Sequence, residues 1–349
     1  MKRFTQILIG VRIVTAFLVV PALGQGGQGV KEIPYESVPN FLKLPENVYM
    51  GEGIGVARNS KGHVFTYTRS GATRLYEFDE KGNFIREISP GNYAFEMAHG
   101  VRVDPQDNIW IIDEGTNMVV KFNPEGRTAM VIGHRPDPFA GLPTSATFYT
   151  NPNPPKPYEF DRPTDIAFDP AGNFFVADGY GNSRVAKYDK NGRFVKTTGS
   201  RGNGAGQLNT PHSIQADAKG NVYVADRGNN RIQVYDNDLN LVKSITGIGS
   251  PWAVCSTPGP HQYLYSSNSS PESNNSAQMA TSGEIYKMEL DGTILGKFGK
   301  GGKLLSEFST THAMDCKVEN ELLISEITSW RVQKIILKPG DAGAASKGK

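Results

Sequence analysis

Three of the six histidines in this 349-residue chain, His99, His212 and His312, each open a short, largely apolar run: His99-Gly-Val-Arg-Val, His212-Ser-Ile-Gln-Ala and His312-Ala-Met-Asp-Cys. Neutral imidazole suits zinc and other borderline divalent ions, and a three-histidine set leaves a coordination position open for chemistry. A second group could work beside such an ion: Arg69, Tyr180 and Arg227, each at the close of a β-type run. Arginine forks onto a carboxylate, and a tyrosine beside a metal and arginines can be activated as a base. The remaining histidines, His63, His134 and His261, fall in turns or inserts and read as solvated surface. Residues so far apart in sequence can share a site only if a regular scaffold carries them, so the elements must be identified next.

The scaffold is an internal repeat. His99 to Asp104, Asn108 to Asp113 and Val119 to Phe122 are echoed by Thr164 to Asp169, Asn173 to Asp178 and Arg184 to Tyr188. They are echoed again by His212 to Asp217, Asn221 to Asp226 and Arg231 to Tyr235. Further copies run from Ile54 to Ile88, Trp252 to Phe298 and His312 to Leu337. Their short strands are separated by turns marked by Asp-Pro, Asp-Lys-Asn-Gly and similar clusters, and repeats of four strands over ~40 residues are propeller blades. The expected fold is all-β: a six-bladed propeller of four-stranded antiparallel blades over residues 53–338. The last copy lacks its fourth strand, and residues 25–52, specifically Val30–Leu44, are the candidate to close the ring. Inserts interrupt it at 134–161, which is rich in proline, and at 266–282, which is rich in serine and asparagine. The first reads equally as surface decoration or as a wall over the channel mouth.

Aligned on their first strands, the copies place Ile54, His99, Thr164, His212, Trp252 and His312 at one position. Histidine occupies alternate blades, about 120° apart, so the imidazoles should converge on the axis. Second strands return to the same face, which brings Arg69, Tyr180 and Arg227 to that mouth, along with Asp113-Glu114.

The formal charge is +2, from 37 basic and 35 acidic side chains, so nothing calls for nucleic acid as a partner. Lys2 and Arg3 precede the mostly apolar stretch Ile7–Leu23, and Ala22-Leu23-Gly24 offers small residues for cleavage. Residues 1–24 therefore read as a signal peptide, with export to the periplasm or the exterior expected. Arg12 interrupts the stretch, which argues against a permanent anchor, and no stable membrane span is expected after cleavage. Residues 339–349 read as a flexible tail, and a monomer is expected. Cys255 lies three residues after Trp252 and Cys316 four after His312, so alternation along a strand points them to opposite faces. Two buried free thiols are expected, not a disulfide.

Asp178-Gly-Tyr-Gly-Asn-Ser-Arg184, Pro211-His-Ser213 and Ala225-Asp-Arg-Gly-Asn-Asn-Arg231 resemble the peptidylglycine alpha-amidating lyase family, a branch of the NHL-repeat propellers. The resemblance covers roughly Gly53 to Leu337. It implies a lyase that cleaves a peptidyl α-hydroxyglycine to an amide and glyoxylate, with zinc on His99, His212 and His312, a catalytic Tyr180, and active-site arginines at Arg69 and Arg227. It also implies a structural calcium held partly by an aspartate where this chain has Ala313, and loss of that carboxylate argues against calcium here. Animal members carry a cysteine where Gly181 stands, so that disulfide is not expected. No monooxygenase segment accompanies the repeat in this sequence, so the reaction is expected to act on another hydroxylated or small carbinolamide substrate, a peptide or a small molecule. The alternative is a non-catalytic NHL propeller that binds a protein or glycan through its top face. Sugar-lactone hydrolases of this architecture need a carboxylate-rich mouth, which this sequence does not supply.

Overall fold

The computed structural model describes residues 29–135, 155–270 and 276–338. The leader, the tail and the centres of both inserts lie outside the described residues. The described chain forms six four-stranded sheets, each antiparallel, arranged as the blades of one ring. The innermost strands are Glu52–Arg58, Ala98–Val103, Asp165–Phe168, Pro211–Ala216, Pro251–Ser256 and Thr311–Val318, and they pack against one another around a central channel.

Why these runs become blades follows from their two-faced burial. In the fourth blade Val222 and Val224 point into the cluster shared with Phe175 and Ala177 of the third. The intervening Tyr223 and Ala225 point into the cluster shared with Val254 and Leu264 of the fifth. Successive strand residues face opposite sides, so both faces must be apolar and no blade can bury them alone. Six such clusters fill the six blade interfaces.

The ring closes with an N-terminal strand. Tyr35–Val38 pairs antiparallel with Arg331–Leu337 and becomes the outer strand of the last blade. The Tyr35 ring lies 5.3 Å from that of Phe298, and its hydroxyl donates to the Ser306 carbonyl at 2.5 Å.

The expectation of free thiols is corrected: Cys255 and Cys316 form a disulfide between the innermost strands of the fifth and sixth blades. The alternation argument compared each cysteine with its own blade. Neighbouring blades, however, meet through opposite faces. Ala253 and Cys255 look towards the sixth blade, while Met314 and Cys316 look back at the fifth, all within one cluster. Opposite parity on adjacent blades therefore makes two side chains meet, and the Cα atoms stand 6.2 Å apart.

Candidate metal centre

A local irregularity aims each histidine. Pairing of the first two strands skips one residue between Ala98 and Gly100, between Pro211 and Ser213, and between Thr311 and Ala313. The skipped residues are His99, His212 and His312. A β-bulge leaves its extra residue out of the ladder and turns its side chain, here towards the axis. The ring centroids form a nearly equilateral triangle with sides of 4.8, 4.7 and 4.7 Å.

The other three blades fix the tautomer. His99 Nδ1 is 2.7 Å from the Thr164 carbonyl, His212 Nδ1 is 2.7 Å from that of Trp252, and His312 Nδ1 is 2.8 Å from that of Ile54. A carbonyl can only accept, so each Nδ1 carries the proton and each Nε2 presents a lone pair. Thr164, Trp252 and Ile54 hold the same repeat position as the histidines in the intervening blades. The six-residue ring thus alternates imidazole and backbone acceptor, the kind of outer-shell arrangement that orients imidazoles for metal binding.

All three rings are buried and stay neutral. Burial, reinforced by Arg69, pushes His99 down to about 3. Burial also holds His212 and His312 well below the ordinary histidine range, helped by the neighbouring rings and the mouth arginines. The set fits a borderline divalent ion. One ligand atom from each histidine lies within 4.8 Å of the others, and His212 Nε2 is buried without a hydrogen-bond partner.

The structure brings Tyr180 and both arginines to this mouth. The Tyr180 hydroxyl donates to His99 Nε2 at 3.3 Å. Two glycines let its turn come close: a Cβ on Gly179 would lie 2.4 Å from the Pro211 carbonyl oxygen, and one on Gly181 would lie 2.1 Å from Asp161 Oδ2. The Arg227 guanidinium stacks on Trp252 at 4.2 Å and stands 5.7 Å from the Tyr180 ring. Among the described residues it has no carboxylate partner.

Arg69 differs. Its Nε donates to Glu52 at 2.7 Å and its Nη1 to Glu114 at 2.8 Å, and Nη1 also reaches the Ala98 carbonyl, beside His99, at 3.3 Å. Its charge is compensated twice. The sequence places Glu114 at the mouth but assigns it no role, and it does not point to Glu52. Nothing in one chain distinguishes such glutamates from solvated ones. Glu114 is buried, with Oε2 unpartnered, and burial pushes its carboxyl up to about 7 against the pull of Arg69.

Calcium does not fit. Ala313 offers no carboxylate, and the channel under the histidines holds the guanidinium of Arg102. The three other histidines stay away from the centre; His63 and His261 each lie against a carboxylate, Glu77 and Glu289.

Fold and sequence together define the class: a six-bladed β-propeller carrying NHL repeats, whose family model matches residues 160–188 and 208–235. The chain is homologous to NHL repeat-containing protein 3 and to peptidyl-hydroxyglycine amidating lyases. It is 33% identical to the mouse NHL repeat-containing protein 3 over 210 residues, which span 56% of this chain and 56% of that protein. A probable peptidyl-alpha-hydroxyglycine alpha-amidating lyase of Caenorhabditis elegans is 24% identical over 324 residues, 82% of this chain and 83% of that one. Among solved structures a streptogramin B lyase superposes with a TM-score of 0.53 at 14% identity, covering 88% of this chain and 98% of that one. At that identity it reports the fold alone.

Proposed function

We propose that this protein is an exported, metal-dependent carbon–nitrogen lyase acting on α-hydroxyglycine-type carbinolamides, with His99, His212 and His312 holding zinc. The observation that carries the reading is the triangle of three buried, neutral imidazoles, each with Nδ1 tied to a carbonyl and Nε2 turned inward. Homology to the amidating lyases supports the reaction class. When bound, the ion would supply Lewis acidity to a substrate oxygen.

The chain's own groups account for the rest. Arg227, without a carboxylate partner among the described residues, receives the substrate carboxylate, while Trp252 and Tyr180 support its guanidinium. Tyr180 stands beside His99; once Nε2 is engaged by the ion it would no longer donate there, and in its phenolate form it takes the proton of the substrate hydroxyl. The carbinol carbon–nitrogen bond then breaks, the oxygen's electron pair forms the glyoxylate carbonyl, and the departing amide nitrogen receives that proton back from Tyr180. Arg69, pinned between Glu52 and Glu114, is held in place beside His99 and is not free to bind an anion. Export is supported by the leader composition and by the Cys255–Cys316 disulfide, a bond that persists in oxidising compartments.

The test is incubation of zinc-loaded protein with α-hydroxyhippurate and assay of glyoxylate. Release that falls at least about a hundredfold in Tyr180→Phe, with metal content unchanged, is the expected result. No release from protein shown to hold one zinc per chain would refute the lyase reading.

A further inference from the structure

One buried charge is not used by this chemistry. Arg102 lies on the innermost strand of the second blade, three residues beyond His99, and its largely buried guanidinium reaches across the channel. Its Nε donates to Asp165 Oδ1 at 2.9 Å and its Nη2 to Oδ2 at 2.6 Å, a bidentate fork to the third blade. Nη2 also reaches Ser213 Oγ of the fourth blade at 3.2 Å and the Val254 carbonyl of the fifth at 3.5 Å. Nη1 reaches the Met314 carbonyl of the sixth at 3.3 Å. One side chain of the second blade therefore touches four others.

Its partners are bound to one another. Asp165 Oδ2 also accepts from Ser213 Oγ at 2.8 Å and from the Ile214 amide at 3.1 Å, and Ser213 Oγ in turn accepts from the Val254 amide at 3.2 Å. They are also neighbours of the metal centre in sequence: Asp165 follows Thr164, Ser213 follows His212, and Met314 lies two residues past His312. Below the guanidinium the channel opens into a cavity of about 270 Å³, bordered by Arg102, Gln215, Lys317 and the disulfide. Arg102 thus forms the floor of the histidine centre and the roof of that cavity.

We infer that Arg102 is the axial cation of this propeller: its guanidinium stands where a bound hard cation would otherwise tie the inner strands together, and it positions the strands that carry the three histidines. A calcium ion needs six to eight oxygens. Here the Asp165 carboxylate and the Val254 and Met314 carbonyls already receive N–H donors, and a second cation beside the guanidinium would be repelled. The neighbouring Asp315 is engaged by Arg58 across the first and sixth blades, with its amide donating at 3.0 Å and Nη1 at 3.3 Å. It offers no spare carboxylate. Arg102 itself stays charged, because Asp165 outweighs the cost of burial.

The inference stands apart from the lyase reading and leans on the histidine centre only in its zinc arm. The experiment compares wild type, Arg102→Met and the double variant Arg102→Met/Asp165→Leu by thermal melting in calcium chloride and in EGTA, and by zinc competition with a chromophoric chelator. Wild type should melt at the same temperature in calcium and in EGTA, and Arg102→Met should melt lower in both, with zinc bound at least about tenfold more weakly. The double variant removes both charges and so keeps the zinc arm readable if the single variant does not fold; it too should bind zinc more weakly. Wild type that loses stability in EGTA, or a folded variant with wild-type zinc affinity, overturns the inference. Wild type that takes up no zinc at all refutes the histidine centre, and the calcium comparison then decides this proposal alone.

Discussion

Glu114 offers a test in which pH, charge and the site meet. Its carboxyl titrates at about 7 in the folded protein against an ordinary 4.5. The shift is upward, so the folded state keeps this proton longer than the unfolded chain does. The stability contributed by the group is therefore full below pH 4.5, declines as pH rises towards 7, and is level beyond. With these values the ionised group disfavours folding by about 1 kcal/mol at pH 5 and about 3 kcal/mol at pH 8, a difference of about 2 kcal/mol. Solvent screening subtracts little, since the residue keeps only 6% of its exposure. Glu114→Gln preserves shape and cannot titrate. Guanidinium denaturation of both proteins at pH 5 and pH 8 gives four stabilities, and groups that do not sense Glu114 cancel in the double difference. Wild type should lose about 2 kcal/mol more than the variant across this interval. Equal losses would refute the assignment of a buried, proton-holding carboxyl beside Arg69. The same titration changes how fully Arg69 is compensated, so the pH profile of kcat/KM should show an inflection near 7 that Glu114→Gln removes.

Other consequences follow from single contacts. The disulfide closes a loop of sequence separation 61, so Cys255→Ser/Cys316→Ser should lower stability by about 4 kcal/mol in the chain-entropy model, measured by denaturation without reductant; an unchanged midpoint would show that the bond constrains nothing. Arg227→Lys loses the planar fork and its stacking on Trp252, and should raise KM for α-hydroxyhippurate about tenfold or more while metal content stays the same. Tyr35→Ala removes the ring packed on Phe298 and the bond to Ser306; a loss of about 2–4 kcal/mol is expected, and no loss would mean that ring closure does not depend on this side chain.

Much of this was legible before any coordinate was known. Apolar alternation on both faces of every short run, punctuated by Asp/Gly turns, forces blades, and six copies fix their number. The shared position of His99, His212 and His312 follows from counting residues within the repeat. Strand direction is enough to send Tyr180, Arg69 and Arg227 to the same end as the histidines. These features are periodic, and periodicity survives in one dimension.

What only the tertiary structure decided depends on contacts between blades, where sequence distance carries no information. The cysteines showed this most sharply: alternation correctly placed them on opposite faces of their own sheets, but the ring turns those faces towards each other. The bulges at the histidines add one residue to a strand without any compositional mark, yet they aim the imidazoles. The Thr164, Trp252 and Ile54 carbonyls are backbone atoms and leave no trace in residue type. Nothing in the sequence sets Glu52 and Glu114 apart from other acids; only the structure puts Arg69 between them. Arg102 carries no distinguishing mark in the sequence, because only closure of the ring shows that its side chain crosses the axis. Sequence set the repeat and the ligand types, whereas closure set which atoms face one another, because convergence on an axis is a property of the whole ring.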